Sequence, residues 1–468
     1  LNTSTELPRD FLENLAQTVA HGDLLTEASE CWTYGYDNSR QHAPPSAVVF
    51  ARSHEQVAAI VSLCNAQRVA IVARGRGTGT TGATVPLNGA IVLSLERMNN
   101  IIEVDPDNRL MRVEPGVTNA EIQQAAGEHG FFWPPDPTSA AVCTVGGNLA
   151  YNSAGPRAVK YGTPRDNTLG LKVVTGSGET LITGTRTSKG VVGYDLTRLV
   201  IGSEGTLAII TEATLKLTPL AEAKRTLQAT YRDIDSAARA VSAIMAQPIT
   251  PCALEFIDHN AIEMIRNYSE AILPEDAGAL LMIEVDGPQS AMQDSIACIE
   301  HAARNAGLVE FKVAETDTEV QALWATRKAL SPALRNIAPK KINEDVVVPV
   351  SRLPELINGL DQLARQYDIK IVNFGHAGNG NIHVNLLIDP DDPRQREAAE
   401  HCLDDVFSLV LQLSGTLSGE HGVGLVKRDF VGRELDSVSL NLMHAIKQQF
   451  DPHGILNPDK CLPGATQQ

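Results

Sequence analysis

The sequence lacks several features that would have assigned its class at once. It has no CxxC pair, and its seven cysteines (Cys31, Cys64, Cys143, Cys252, Cys298, Cys402 and Cys461) are scattered and odd in number. Such spacing argues against a disulfide framework and against a cysteine-bound structural zinc, and fits reduced intracellular thiols. No apolar run approaches the roughly 20 residues that span a bilayer. The first ten residues, LNTSTELPRD, hold neither the cationic stretch nor the apolar run of a signal peptide. A soluble, cytoplasmic protein is expected, with peripheral contact as its one route to a membrane. Positive charge is also short: 39 Lys and Arg against 56 Asp and Glu give a net charge of −17. A surface so acidic has no general affinity for phosphate backbones, so nucleic acid is not an expected partner. An anionic small substrate stays open, because a few placed cations can reverse the field inside a pocket.

What is present is a globular composition, 43% apolar over 468 residues, which is too long for one ordinary core. No repeat of solenoid or propeller period is visible. The first half is rich in short strands and glycine. Strands are expected at 47–51, 69–73, 91–95 and 208–217, a hairpin at 101–104 and 110–113, and helices at 53–66 and 118–129. Glycine-rich stretches fall at 75–82, 146–170 and 202–211.

From about residue 222 the order becomes strand 225–231, helix 234–246, strand 251–258, strand 279–285, helix 289–306 and strand 309–313. That is β-α-β-β-α-β, a split βαβ, ferredoxin-like layer. Helices at 319–337, 351–367 and 393–413 follow, with strands at 345–350, 369–373 and 382–388 and a final helix at 436–450. The reading is an α+β protein with a first domain at 1–220, a second at 221–425, and a C-terminal segment, 426–468, that returns to the first.

Arg74-Gly-Arg-Gly-Thr-Gly-Thr-Thr-Gly82 contains GxGxxG after a strand, and Glu96 follows a later strand, as in a dinucleotide fold. The context fails, because only eight residues, including Pro86 and Gly89, separate Gly82 from Ile91. A βαβ crossover needs about a dozen residues, mostly helical. The remaining readings are a plain tight turn, or a loop whose backbone N–H groups form a nest for phosphate oxygens, helped by Thr78, Thr80 and Thr81.

The loop is one of a series. Pro134-Pro-Asp-Pro-Thr138, Thr144-Val-Gly-Gly-Asn148, Asn152-Ser-Ala-Gly155, Tyr161-Gly162 and Gly202-Ser-Glu-Gly-Thr206 follow it. With these motifs the chain resembles the FAD-binding domain of the vanillyl-alcohol oxidase and p-cresol methylhydroxylase superfamily over about 45–220. The resemblance implies that Arg74, Gly75, Arg76, Gly77, Thr78, Gly79 and Thr80 hold the pyrophosphate. Pro135, Asp136, Thr138, Thr144, Gly146, Gly147 and Asn148 would hold ribitol and isoalloxazine, and Ser153 and Gly155 would also bind the cofactor. Glu204, Gly205 and Ile210 would contact the adenosine half. The first loop carries no histidine or cysteine for covalent attachment, so dissociable FAD is expected.

Gly375-His-Ala-Gly-Asn-Gly-Asn-Ile-His383 sets two histidines seven apart across a glycine-rich loop, and Ser418-Gly-Glu-His-Gly-Val-Gly424 supplies a carboxylate beside a third. Two histidines and one carboxylate suit a divalent ion that keeps positions open for substrate. These two segments are similar to those of D-lactate dehydrogenases, D-2-hydroxyglutarate dehydrogenases and the glycolate oxidase catalytic subunit. The resemblance implies a substrate-capping second domain, metal ligands His376, His383 and Glu420 for zinc or manganese, and substrate contacts from His421 and Asn385. It also implies that Asn457, in Asn457-Pro-Asp-Lys460, approaches the flavin.

The family's capping domain sets an arginine against the substrate carboxylate at the position of Arg327, and a two-pronged guanidinium suits that task. Lys340, Lys341 and Ser331 are candidates for a second, distal carboxylate. The expected activity is FAD-dependent oxidation of a small D-2-hydroxy acid, D-lactate-like, with His421 as the base and Arg327 as the clamp. Electrons would pass to a quinone, an electron-transfer protein or oxygen, and a homodimer is left open. The runner-up is D-2-hydroxyglutarate dehydrogenase. A rival of another class, a metal-dependent hydrolase, leaves the glycine series of the first domain without a role.

Overall fold

Ser53 starts the helix His54–Gln67 by accepting the N–H of Gln56, and Arg68 ends it in the left-handed conformation at φ 54°. Val57, Ile60, Val61 and Cys64, spaced by three and four, form its buried stripe. The stripe packs on a four-stranded sheet of order Leu24–Leu25, Val48–Phe50, Ile91–Ser94, Ile71–Arg74. The last three strands run parallel. The helix is the crossover from Val48–Phe50 to Ile71–Arg74. The next connection, 75–90, holds only a three-residue turn of 3-10 helix at Leu87–Gly89. The computed structural model describes residues 7–268 and 273–464, apart from the side chains at 267–268, 325–326, 328–329, 331–333 and 335–337.

The edge strand Ile71–Arg74 is completed from the far end of the chain. Ile71 donates its N–H to Ile455 O, and Asn457 donates its N–H to Ile71 O. A second sheet is antiparallel throughout, in the order Ile101–Asp105, Leu110–Val113, Ala208–Lys216, Thr168–Thr175, Thr180–Gly184. The helix Asn119–Gly127, closed at its start by a capping box of Thr118 and Glu121, buries Ile122 and Ala126 in the core of this sheet.

The second half builds one seven-stranded antiparallel sheet. Its order is Leu308–Val313, Ala223–Tyr231, Ala279–Gly287, Ala253–Ile257, Lys370–Gly375, Asn381–Ile388, Lys340–Val347. The first four strands have the expected ferredoxin-like order, and the last three extend it. One face is covered by the helices His259–Tyr268 and Asp317–Ile337, against Ile257, Leu280, Met282, Val372, Phe374 and Leu387. The helices Met292–Ala303, Ile234–Ala246, Leu353–Tyr367 and Pro393–Gln412 lie side by side.

Three local features go beyond or correct the expected elements. The glycine-rich stretch 146–170 holds most of a helix, Val145–Tyr151, with Thr144 accepting the N–H of Gly147, and the start of a buried strand, Thr168–Thr175. A helix, His259–Tyr268, follows Ala253–Ile257 in the connection to Ala279–Gly287, the second and third strands of the ferredoxin-like layer in chain order. The strand placed at 345–350 is Lys340–Val347, and Pro349, lacking an N–H, cannot continue the ladder.

The chain divides into two compact units. One comprises Leu1–Gly155, Gly162–Leu220 and Glu420–Gln468, the other Pro156–Tyr161 and Ala221–Gly419. Among the described residues no helix is long and apolar enough to cross a membrane.

Candidate functional site

In the first unit the glycine loop leaves the strand Ile71–Arg74 and borders a cleft. The cleft has an empty volume of about 620 Å³, including the solvent at its mouth. Of the residues expected at the cofactor, its walls include Arg74, Gly75, Thr144, Gly146, Gly147, Glu204, Gly205 and Ile210. Close approach explains two of the glycines. A Cβ on Gly75 would lie 2.4 Å from Thr144 Oγ1, and one on Gly146 would lie 2.6 Å from Pro115 Cβ. The small residues therefore keep the walls together while leaving backbone exposed to the cleft, as a phosphate-bearing cofactor requires.

The other expected cofactor residues are not among those walls: Arg76 to Thr80 along the first loop, Pro135, Asp136 and Thr138, then Asn148, Ser153 and Gly155, and Asn457. Several are engaged elsewhere. Arg76 pairs with Glu96 at 3.0 Å, so the carboxylate that a dinucleotide fold would give to a ribose is held by this loop. Asn148 lies buried against Asn119 and Cys143. Pro135 O accepts the Asn119 side chain. Asn457 donates to Ala83 O and Glu204 O, bracing the turn that carries Glu204. Arg74 itself donates to Tyr36 O, so its guanidinium stiffens the loop from behind. Sequence reasoning missed Lys460, which is buried, donates to Val85 O and has its pKa lowered to about 8 by burial.

The segment after Glu420 also belongs to this unit. The Glu420 carboxylate accepts the Gly155 N–H at 2.9 Å, and His421 Nε2 lies 3.9 Å from Glu420 Oε1. Thr81 Oγ1 donates to His421 O, while the Glu204 carboxylate accepts the N–H groups of Val423 and Gly424. Burial pushes the Glu204 carboxyl up, against the downward pull of those two N–H groups.

In the second unit, strand alternation assembles the remaining candidates. Asp345, Asn343 and Lys341 stand opposite His383, Asn385 and Leu387, and Phe374 and Val372 flank the same pair on the other side. All share the face that the helix Asp317–Ile337 covers. His376 follows the strand Lys370–Gly375, and its ring lies 5.1 Å from that of His383, at 85°. Arg327 reaches down from the helix and stacks on Phe374 at 4.8 Å. Asn385 donates to Val372 O and His383 O and accepts from Asn343, so its amide is locked into the sheet. The Ser331 side chain lies outside the described residues.

The residue that joins these parts is Glu255, which the sequence reading did not select. It is 1% exposed, accepts from Arg327 Nε at 2.7 Å, and meets His376 Nδ1 at 2.5 Å. Burial alone would raise its carboxyl, but His376 and Arg327 together hold it down at about 2. The carboxylate on Nδ1 fixes the orientation of the His376 ring, the arrangement that orients metal-binding histidines. One signal was available: a lone acid inside Ala253–Ile257, a strand buried along its whole length.

Two family models match the sequence. One, described as an FAD binding domain, covers residues 45–184. The other, described as FAD linked oxidases, C-terminal domain, covers 220–461. The chain is 39% identical over 455 residues to glycolate oxidase subunit GlcD of Bacillus subtilis, spanning 97% of each. It is 34% identical over 460 residues to D-2-hydroxyglutarate dehydrogenase of Stutzerimonas stutzeri, spanning 96% of this chain and 98% of the relative. A crystal structure of p-cresol methylhydroxylase with substrate bound matches at a TM-score of 0.82 and 17% identity, over 98% of this chain and 97% of that one. At that identity the likeness shows the fold, an FAD-binding domain with a cap domain.

Proposed function

This chain belongs to the FAD-linked oxidases of the vanillyl-alcohol oxidase and p-cresol methylhydroxylase family, and from that footing we propose that it oxidises a small D-2-hydroxy acid, of glycolate or D-lactate size, to the 2-oxo acid. The observation that carries the proposal is the second unit's polar cluster, in which a guanidinium and one histidine, His376, meet on the buried Glu255 carboxylate while the ring of a second histidine, His383, stands against that of His376. Such a set recognises an oxygen-rich anion. The similarity to a glycolate oxidase subunit and to a D-2-hydroxyglutarate dehydrogenase supports the same substrate class.

The cleft residues Gly75, Thr144, Gly146, Gly147 and Gly205 would hold FAD, which supplies the hydride acceptor when bound. His376, His383 and Glu420 would hold a divalent ion, zinc or manganese, which supplies Lewis acidity toward the substrate hydroxyl and carboxylate. Glu420 follows Gly419 by one peptide bond, and the Gly419 N–H is fixed to Asp345, the cross-strand neighbour of His383. The chain's own residues then divide the work. Arg327 orients the carboxylate through its terminal nitrogens, since Nε is held by Glu255. His421 takes the hydroxyl proton, a step for which an imidazole near neutrality is suited. Asn385 keeps the His383 strand in register through its own hydrogen bonds. Electrons leave to a quinone, an electron-transfer protein or oxygen.

A second reading, D-2-hydroxyglutarate as substrate, is favoured by Lys341, which shares the sheet face of Asn385 and could meet a distal carboxylate. Anaerobic mixing with glycolate, D-lactate, L-lactate and D-2-hydroxyglutarate, followed by flavin bleaching, separates the two. Bleaching by none of the four defeats the proposal.

Two expected results follow for the bound groups. Acid or heat should release all yellow colour into the supernatant, because the first loop offers no attachment residue; colour that stays with washed, denatured protein would contradict this. Removing metal with a chelator should abolish most turnover yet leave FAD bound, since the proposed ligands are not cleft residues. Full activity in a sample shown by elemental analysis to be metal-free would defeat the metal assignment.

A further inference from the structure

Glu204 sits at the wall of the cofactor cleft, where the family resemblance would make it a cofactor contact. Its geometry says otherwise. The residue is 5% exposed and adopts a left-handed backbone at φ 54°, a conformation that a non-glycine residue keeps only when its surroundings hold it there. Its main chain is fixed on both sides: the N–H donates to Ala150 O, and the carbonyl accepts the Asn457 amide. The carboxylate turns to the segment that follows His421. Oε1 accepts the Val423 N–H at 2.6 Å and Oε2 accepts the Gly424 N–H at 2.8 Å.

The same segment is gripped from its other side by Thr81, in the glycine loop. Thr81 Oγ1 donates to His421 O at 3.2 Å, and Thr81 O accepts the Leu425 N–H at 2.8 Å. The contacts are tight enough to demand glycine at both intervening positions. A Cβ on Gly422 would lie 2.5 Å from Glu204 Oε1, and one on Gly424 would lie 2.2 Å from Thr81 O. Both glycines have positive φ, at 79° and 50°. Both anchors, Thr81 and Glu204, are in the same unit as the segment they hold.

We infer that Glu204 is a positioning residue: its carboxylate sets the His421–Gly424 segment against the cofactor cleft and does not itself bind the cofactor. Placing the base on a strap held by the cleft wall fixes it relative to the flavin. A misplacement of about 1 Å is enough to slow an oriented reaction about 10²-fold. The inference rests on the reading of His421 as the base, and the experiment below keeps the two apart.

Glu204→Gln is the informative change. Glutamine offers one acceptor oxygen and turns an NH₂ donor toward a backbone N–H, so one bond is lost and one contact becomes repulsive. In the FAD-loaded protein, the limiting rate of anaerobic flavin reduction is expected to fall about 10- to 100-fold. The dissociation constants of FAD and of the acid should each stay within about threefold, for want of any lost contact to either. Amide hydrogen exchange in the peptide spanning 418–427 should speed up. FAD affinity lowered tenfold or more (~1.4 kcal/mol), with an unchanged rate per bound flavin, would mark Glu204 as a cofactor ligand and overturn the inference. An unchanged rate together with unchanged exchange overturns it as well. If Glu204→Gln does not fold, Thr81→Val removes the hydroxyl bond to His421 O and should slow reduction several-fold; an unchanged rate there has the same adverse meaning. If His421→Ala reduces flavin at the wild-type rate while Glu204→Gln is slow, the base reading fails and the positioning role stands.

Discussion

His421→Ala is expected to reduce its flavin about 10²–10⁴ times more slowly than the wild type at saturating acid, the usual yield of a positioned general base. The main chain of this residue is held by Thr81 and its neighbours by Glu204, so trimming the imidazole leaves the strap in place. Substrate affinity should change little, because Arg327 and the two histidines of the second unit are untouched. Stopped-flow mixing without an electron acceptor is the right measurement, since it isolates reduction from reoxidation. A wild-type limiting rate in His421→Ala would remove His421 from the proton transfer and pass that task to another group. A normal rate with a much raised KM would instead make it a binding residue.

The fold was legible where a local count sufficed. The connection after Gly82 was too short for a crossover helix, and the structure indeed joins the parallel strands Ile71–Arg74 and Ile91–Ser94 without one. The ferredoxin-like order could be read because its strands and helices have clean periods. The helix Val145–Tyr151 could not. Two adjacent glycines lower helix propensity, and what overrides them is tertiary: Gly146 lies against Pro115, with its N–H donated to Pro115 O. The strand Thr168–Thr175 was hidden in the same glycine-rich stretch, although it pairs along both edges.

The candidate site was legible in its residue types more than in its connections. Glycine-framed histidines pointed to the pair His376 and His383 without any three-dimensional information. Glycines in the first domain likewise marked the cleft, but which of them face it depends on packing partners far along the chain. Arg327 is different: one arginine on an amphipathic helix carries no local signal, and only the family resemblance selected it. Glu255 was missed because a single acid in a short apolar strand has no motif. It becomes visible only when the pairing of Ala253–Ile257 with Lys370–Gly375 brings it beside His376.

That hidden carboxylate supports the second large expected effect, which separates stability from recognition. Glu255 is the buried carboxylate on which Arg327 and His376 both meet, so Glu255→Ala takes that shared counter-charge from both. Breaking a buried pair from one side costs about 3–5 kcal/mol. The denaturant midpoint of the second unit should fall accordingly. Arg327→Ala should also destabilise, by leaving the Glu255 carboxylate with His376 alone. Its larger signature is a KM raised about 10- to 150-fold, from losing a charged hydrogen bond of about 1.5–3 kcal/mol to the substrate carboxylate. Arg327→Lys should recover part of this, since an ammonium cannot form the two-pronged pair. The decisive protein is the double variant Glu255→Gln with Arg327→Met, in which neither charge is left uncompensated by the other. Removing a buried pair as a unit is often nearly neutral, so its midpoint should return toward the wild type. Its KM should stay as high as that of Arg327→Ala, because no guanidinium is left to meet the substrate. A wild-type midpoint in Glu255→Ala would show that the carboxylate is not a structural keystone. A wild-type KM in the double variant would show that Arg327 holds the sheet together and does not hold the substrate.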